Sequence, residues 1–467
     1  MKIVLINPGM SAEKQAGSLK GVANMILPLG IGVLASVLEK NKFDVKIIDC
    51  VPENLSLEEL KERIDREKPD LIGITATILS YDAALETGKK LKNYKIVIGG
   101  PHFTSVPEKV MQEECFDFGV IGEGEETILE LCNALKYDKD FSNIKGLVYR
   151  ENGEIKINKR RELIKNLDEL PFPALHLYPD LKKYTPMLGG YKQLPFAHMI
   201  TSRGCPYRCI YCDRSVFGNR FRPQSPERVI KEIEFLVEKY GVKEIKFYDD
   251  TFTMDMERVS KICDLIIEKG IKITWSCSTR VDRISKELLM KMKEAGCWQI
   301  DYGLESGDQR ILNIMKKGIT LEQSRNAAKW TKEAGIRLRA FIILGMPGET
   351  NESIRNTIDF VKELRVDVVA FYALMIYPGN ELYDMVKKEG RLLHEDYSQF
   401  SSLIDTKKTR LHYVPDGMNE EELKNWIRKA YKEVYLNPRY LTRQIGSIKN
   451  FGDVKRYWGA FKTIVRM

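Results

Sequence analysis

No stretch of the 467 residues approaches the roughly twenty consecutive apolar positions that a membrane-spanning helix needs. The opening MKIVLINPGM goes directly into a strand-like run and lacks the charged, apolar and small-residue succession of a secretory signal. A cytoplasmic protein is therefore expected. A disulfide framework is missing as well. Nine cysteines, three of them clustered and the others scattered, fit metal or redox use in a reducing setting. What remains is a globular composition, 43% hydrophobic and 30% charged, long enough for two or three domains. The net charge of +8 is modest but uneven, with seven Lys or Arg and a single acid, Asp453, between Pro438 and Met467.

The first 135 or so residues alternate strand and helix patterns. KIVLINP (2–8), DVKIIDC (44–50), DLIGITAT (70–77), KIVIGGPH (95–102) and FGVIGEGEE (118–126) are apolar runs ending in polar or Gly-rich loops, as buried parallel strands do. Between them lie helical stretches, among them SLEELKERIDREK (56–68), capped by Ser56 with Glu59 closing a capping box. Five such units predict a doubly wound parallel sheet of Rossmann or flavodoxin type over 1–140, with ligands at the carboxyl ends of the strands. Those ends carry Asn7, Asp49, Thr75, Thr77, Gly99, Gly100, His102, Gly122 and Glu123. Residues 141–190 read as a linker with a hairpin at Asn152-Gly153 and a Pro-rich, aromatic stretch in which His176 is a connector residue.

A second alternation fills 191–400, with strands at 197–204, 244–250, 272–280, 297–306, 337–347 and 367–378. Six βα units predict a partial (β/α)6 barrel of TIM type, whose chemistry belongs at the carboxyl rim. Arg203, Cys205, Asp249, Asp250, Arg280, Glu305, Ser306, Pro347 and Pro378 gather there. Residues 401–467 read as a C-terminal helical segment.

TSRGCPYRCIYCD (201–213) places Cys205, Cys209 and Cys212 on one loop after the first barrel strand. Structural zinc and electron-transfer clusters take four protein ligands. The nearest fourth candidates are Asp213 and His198, and His198 lies within an apolar strand, where a packed histidine is the plainer expectation. Cys263, Cys277 and Cys297 read as buried small hydrophobes. Three clustered thiolates without a fourth fit a four-iron cluster with one iron open to a chelating substrate.

Cys-x3-Cys-x2-Cys with Tyr211 before the last cysteine resembles the radical S-adenosylmethionine enzymes. FYDDTF (247–252), GLESG (303–307), ILGMPGET (343–350) and YPGNELY (377–383) are similar, in order, to the segments of that family at the ends of later strands. The resemblance implies that S-adenosylmethionine supplies the missing ligand through its amino and carboxylate groups. It also implies a binding set of Tyr211, Asp249, Asp250, Arg280, Glu305, Ser306, Gly345 and Pro347. With a doubly wound domain placed before the barrel, the chain resembles the cobalamin-binding branch, through LPLGIGVLASVLE (27–39), IGGPH (98–102) and IGEGEET (121–127). Cobalamin contacts are then expected at Leu29 and Gly30 beside the nine strand-end residues named above. The Asp-x-His-x-x-Gly motif that brings histidine to cobalt is absent, and His102 fits a nucleotide-tail contact better than a cobalt ligand.

The family chemistry implied is reductive cleavage of S-adenosylmethionine to a 5′-deoxyadenosyl radical, hydrogen abstraction from an unactivated carbon, and methyl transfer from cobalamin. Ferredoxin or flavodoxin is the expected electron donor. No catalytic acid, base or hydrogen donor is identified. A non-methylating cyclase or rearrangement enzyme, and a non-catalytic cobalamin sensor or carrier, are the alternatives. An RNA-modifying methylthiotransferase would need a second cysteine cluster, whereas Cys50, Cys115 and Cys132 are far apart, and no nucleic-acid partner is expected. In the tail, Val454, Tyr457, Trp458, Phe461, Ile464 and Val465 recur at helical spacing, with Lys455, Lys462 and Arg466 largely elsewhere. Such a helix suits either peripheral contact with a membrane surface or packing over the barrel mouth. NPRYLTRQI (437–445) resembles the ends of relatives that act on hydrophobic molecules, so a lipid-like small-molecule substrate is expected.

Overall fold

The computed structural model describes residues 1–9, 26–184, 186, 190–395, 397 and 410–445. Five parallel strands, β1 (Lys2–Asn7), β2 (Asp44–Asp49), β3 (Leu71–Thr75), β4 (Ile96–Gly99) and β5 (Phe118–Val120), lie in the order β2-β1-β3-β4-β5. This is the doubly wound order of flavodoxin-like sheets, and it places a crevice beside β1 and β3, where the winding reverses. Side chains alternate between the two faces of a strand. Val4 and Ile6 accordingly join a core with Leu60, Ile64 and Ala84. Ile3 and Leu5 point the other way, into a core that includes Leu38 and Leu131 and runs on into the second domain. The two domains thus share one apolar interior.

The hairpin departs from its expected place in a linker. Its strands β6 (Leu147–Glu151) and β7 (Glu154–Ile157) extend the first sheet antiparallel beyond β5, pairing Phe118 with Tyr149 and Val120 with Leu147. Asn152 and Gly153 both have positive φ, 52° and 82°, as a tight two-residue hairpin turn requires. The first sheet therefore runs on to Ile157. Beyond it the Pro-rich stretch packs on the sheet. Ala174 N donates to Gly32 O at 3.0 Å, Tyr178 OH to Pro28 O at 2.6 Å and Tyr184 OH to Asp49 Oδ2 at 2.8 Å. His176 stays at the surface, 3.1 Å from Glu39.

The second sheet is wholly parallel and runs in chain order. β8 (Phe196–Met199), β11 (Glu244–Phe247), β12 (Thr274–Thr279), β13 (Cys297–Glu305), β14 (Arg337–Leu344) and β15 (Val368–Ala373) stand side by side, as a six-stranded open barrel requires. Two short strands, β9 (Ser202–Arg203) and β10 (Arg222–Pro223), pair antiparallel across the base of the cysteine loop. Ser225 caps the helix Pro226–Tyr240, with Pro at its first turn, and Thr320 with Gln323 forms the capping box of Leu321–Glu333.

An open barrel leaves β15 with an unpaired edge. The helix Glu420–Tyr435, started by an Asn419–Glu422 capping box, lies along it. Tyr431 OH accepts from Phe371 N at 3.1 Å and donates to Phe371 O at 3.2 Å. Tyr435 OH accepts from Val369 N at 3.0 Å and donates to Val369 O at 2.7 Å. One face of this helix therefore completes the hydrogen bonding of the sheet. A further helix, Pro438–Ile445, follows, and the basic aromatic segment from 446 lies outside the described residues. Among the described residues, no helix is long and apolar enough to cross a membrane.

Candidate functional site

The cysteine loop is held from all sides. Asp249, just past β11, accepts from Thr201 N at 2.5 Å, Ser202 N at 2.8 Å and Thr201 Oγ1 at 2.6 Å. Gly204 follows at φ +84°, where a Cβ would overlap the carbonyl of Arg220. Farther along, Ile210 N donates to Met315 O at 3.1 Å, Leu382 N to Ile210 O at 3.0 Å and Asn380 Nδ2 to Tyr211 O at 3.0 Å. The loop is therefore fixed by Asp249 after β11 and by the ends of two helices, Gln309–Ile314 and Glu381–Lys388.

Cys205 is half-buried with Sγ 3.9 Å from Thr251 Oγ1, Cys209 is buried, and Cys212 opens to the cleft. Although Cys212 is reached by water, the protein packed around it raises its thiol, and with Asp250 and the other two thiols adding to this, it is pushed up to about 12. A metal must therefore displace a tightly held proton there. Among the described residues, no three His, Cys, Asp or Glu side chains converge as a single metal ion requires. A multi-iron cluster takes its thiolates on separate irons, and three cysteines on one braced loop fit that demand.

The other rim residues divide into groups that face the cleft and groups that brace it. Asp250 accepts from the Gly204 N–H and its carboxyl is raised by burial. Glu305, at φ +62° where the β13–β14 register shifts, pairs with Lys317 at 2.7 Å, and Lys317 stands 3.4 Å from Tyr211 OH. A non-glycine residue held in the left-handed region is a strained position of the kind that collects at functional sites. Asp249 is wholly engaged by the loop. Arg280, expected in the S-adenosylmethionine set, pairs with Asp282 at 2.9 Å, donates to Lys317 O at 2.8 Å and lies 3.4 Å over the Tyr207 ring. Ser306 is turned away, 3.1 Å from Thr357 in the helix Asn351–Leu364. Gly345, at φ +99°, and Met346 direct their N–H groups to Glu349, whose carboxyl burial pushes up to about 7. Pro347 lies in the same turn.

Lys317, Tyr207, Asp282 and Glu349 were not anticipated from the sequence. Glu349 sits in the quoted ILGMPGET segment and could have been found; Lys317 lies in the unremarkable MKKGIT and had no signal.

In the first domain a cavity of about 360 Å³ lies at the carboxyl ends of the strands, against the barrel. Leu29, Gly30, Thr75, Gly99, Gly100, Gly122 and Glu123 line it, seven of the eleven residues expected to contact cobalamin. Gly100 has φ +98°, and a Cβ there would sit 2.8 Å from Ala76 O, so the backbone itself forms the wall. The other four do not line it. Asn7 donates to Asp49 at 2.8 Å, and Asp49 also holds Tyr184 of the linker, so both act as struts. Thr77 closes a turn with Ser80 at 3.0 Å. His102 is buried 4.4 Å from the Tyr81 ring, and burial, assisted by Lys109, pushes it down to about 4, leaving a neutral imidazole. His198 is likewise packed, 2.7 Å from Leu27 O and pushed down to about 4 by burial.

Glu123 joins the two regions. It meets Arg203 at 2.6 Å and Arg222 at 2.9 Å, and accepts from Ile164 N at 2.8 Å, while Glu125 pairs with Arg203 at 2.7 Å. Arg203 and Arg222 pair with each other in β9–β10, directly before Cys205 and after Cys212 respectively in the loop. Arg203 also lines the cavity, so the cavity and the cysteine loop share a wall of paired charges.

The radical SAM superfamily model matches residues 199–361, and the B12 binding domain model matches residues 20–132. The chain is 38% identical over 452 residues to an uncharacterized methyltransferase of Pyrococcus horikoshii, covering 95% of each chain. It is 26% identical to the cytidylyl-2-hydroxyethylphosphonate methyltransferase of Streptomyces wedmorensis, covering 83% of this chain and 82% of that one. To the anaerobic magnesium-protoporphyrin IX monomethyl ester cyclase of Rubrivivax gelatinosus it is 25% identical, over 94% and 78% of the two chains. Two solved structures share the fold. The radical S-adenosylmethionine methyltransferase TsrM of Kitasatospora setae, solved with cobalamin and a [4Fe-4S] cluster, superposes with a TM-score of 0.72 at 18% identity, over 94% of this chain and 89% of that one. The cobalamin-dependent S-adenosylmethionine radical enzyme OxsB gives 0.75 at 19% identity, over 99% and 70%. A braced three-cysteine loop on a six-stranded barrel, a cavity at the strand ends of a B12-type domain and a relative matched along nearly the whole length place this chain in one family: it belongs to the cobalamin-binding radical S-adenosylmethionine enzymes, whose cofactors are a [4Fe-4S] cluster, S-adenosylmethionine and cobalamin.

Proposed function

We propose that the protein is a methyltransferase that transfers a methyl group to an unactivated carbon of a hydrophobic small molecule, with electrons from ferredoxin or flavodoxin. The observation that carries this reading is the Glu123–Arg203 pair, 2.6 Å long, which sets the cobalamin-domain cavity against the loop that bears Cys205, Cys209 and Cys212. When bound, the cluster supplies the electron that cleaves S-adenosylmethionine, and cobalamin supplies the methyl group.

The protein's part is to hold and orient. Cys205, Cys209 and Cys212 would ligate the cluster, and Asp249, Arg280 and Tyr207 keep their loop in place. Asp250, the Glu305–Lys317 pair, Tyr211 and the Gly345–Pro347 turn would receive S-adenosylmethionine. A carboxylate such as Asp250 accepts charge-assisted hydrogen bonds from an ammonium or from ribose hydroxyls, and Lys317 can meet a carboxylate. Leu29, Gly30, Thr75, Gly99, Gly100 and Gly122 would hold cobalamin, chiefly through backbone and apolar surface. The hydrophobic character of the substrate rests on the aromatic and basic tail.

The test is anaerobic reconstitution with iron, sulfide and hydroxocobalamin, then reduction with S-adenosylmethionine and a panel of hydrophobic acceptors. 5′-Deoxyadenosine and S-adenosylhomocysteine appearing together are expected. 5′-Deoxyadenosine alone would sink methylation and favour the cyclase chemistry of the 25%-identical relative.

A further inference from the structure

The inner face of the barrel carries a charge that none of these roles uses. Along β14, Leu338, Ala340, Ile342 and Leu344 are buried in the core shared with Ile354 and Ile358 of the helix Asn351–Leu364. Arg337, Arg339, Phe341 and Ile343, on the opposite face, are only half-buried. The interior of this open barrel is therefore not filled by its own side chains, as that of a closed barrel is. The strand registers set Ser278, Asp301 and Arg339 in one row across β12, β13 and β14. Asp301 is fully engaged, with Lys246 2.5 Å from Oδ2 and Gln299 Nε2 donating to Oδ1 at 2.9 Å. Arg339 stands 3.9 Å from the same Oδ2, beyond a hydrogen bond, and makes none among the described residues, although 15% of its side chain is accessible. Lys246 and Arg339 against Asp301 leave one positive charge in excess. Rings lie beside it. The Arg339 guanidinium is 5.0 Å from the centre of Phe341, which is 6.0 Å from Tyr372. Burial raises the Tyr372 phenol, and Arg339 close by lowers it. Tyr248, three strands along with Lys246 5.8 Å over its ring, is 37% exposed.

A guanidinium largely removed from water without a hydrogen-bonding partner is costly, and a ligand that supplies the partner recovers that cost. Its planar fork matches the two oxygens of a carboxylate. A single excess charge also suits a monoanion better than a doubly charged phosphate ester. S-Adenosylmethionine is not that ligand, because Asp250 and Lys317 are placed for it at the rim. Arg339 lies deeper. Its row neighbour Asp301 is four residues below Glu305 on β13, roughly 13 Å of strand at about 3.3 Å per residue. We propose that Arg339 anchors a carboxylate of the substrate, whose apolar body lies along Tyr248, Phe341 and Tyr372 and whose reacting carbon stays at the rim. The assignment rests on the reading of the protein as a methyltransferase of a hydrophobic molecule. It narrows that molecule to an amphiphile whose carboxylate is on the order of 10 Å from the carbon that is methylated.

The probes are 1-pyrenebutyrate and 1-pyrenebutanol, which share a flat apolar body and differ in charge. Fluorescence titration of the cluster-loaded full chain, without reductant and with S-adenosylmethionine present or absent, gives a dissociation constant for each. The wild type is expected to hold pyrenebutyrate about tenfold or more tighter than pyrenebutanol, whether or not S-adenosylmethionine is present. Arg339→Gln is expected to abolish that preference and to leave pyrenebutanol binding and iron content unchanged. Arg339→Lys, which keeps the charge and loses the fork, should retain part of the preference and serves if Arg339→Gln fails to fold. Equal wild-type affinity for the two probes would overturn the assignment. So would an unchanged preference in whichever variant folds, or displacement of pyrenebutyrate by S-adenosylmethionine. Methyl transfer fails separately, if reduction with S-adenosylmethionine yields 5′-deoxyadenosine without S-adenosylhomocysteine while the charge preference stands.

Discussion

The barrel rim and the first-domain cavity meet at one wall and are built by opposite means. The rim is made of charged and hydrogen-bonded side chains: Asp249 on the loop backbone, Arg280 on Asp282 and Tyr207, and Glu305 on Lys317. The cavity is made mostly of what is missing, glycines and aliphatic side chains, and the carboxylates at its edge are already paired with arginines. The rim is a preorganised polar frame, as a site that must hold a cluster and a charged cosubstrate requires. The cavity presents shape and backbone rather than free charge. The lesson is that a carboxylate at a strand end does not declare its role. Asp249, Asp49 and Glu123 all stand at or just past the carboxyl ends of strands, and each is bonded to other parts of the protein.

The largest effect should come from removing a group with no substitute in the frame. Cys212→Ala is expected to lower both bound iron and 5′-deoxyadenosine formation by more than about a hundredfold, since even outer partners of metal ligands are worth ten- to a hundredfold. Iron and sulfide content with cluster absorbance checks this. Retention of a full cluster would move the third ligand elsewhere.

The shared wall comes next. Glu123→Gln leaves Arg203 and Arg222 buried with one partner weakened, and should cost about 3 kcal/mol of stability, read from denaturant unfolding. A change near zero would mean that the two regions are not held together by this network.

A third pair of variants tests brace against ligand directly. Asp249→Asn, which disturbs the loop, should reduce cluster loading. Asp250→Asn should keep the cluster and raise the KM for S-adenosylmethionine about tenfold, the effect of losing one charged hydrogen bond. Iron content and 5′-deoxyadenosine rates against S-adenosylmethionine concentration separate the two. The same response from both aspartates would erase the distinction.

Much of this arrangement was legible because it is local. Each barrel strand is an apolar run with a polar end, and Cys-x3-Cys-x2-Cys is a contiguous signal. Non-local relations were not. The Asn152-Gly153 turn was readable, but not that its hairpin would pair with β5, because nothing in a strand names its neighbour. Asn7 and Asp49 were placed at the strand ends, yet Tyr184, far along the chain, reaches Asp49. Lys317 follows a short helix without any motif, and only the fold brings it to Glu305. Arg280 was rightly put at the rim, but an arginine reveals its partner only when the ring beneath it is seen.

The smallest expected effect lies farthest from either site. Tyr431 and Tyr435, one turn apart on Glu420–Tyr435, each give a hydroxyl that both accepts from and donates to the edge strand β15. Tyr435→Phe removes two such bonds and leaves the Val369 N–H and C=O without their partner, while the ring remains to pack. The loss should be about 1–2 kcal/mol. If the helix were only a lid packed by apolar contacts, Phe would be neutral. If it completes the sheet, amide exchange at Val369 should accelerate while cluster loading is unchanged, because the strain of an uncovered edge stays on that side of the barrel.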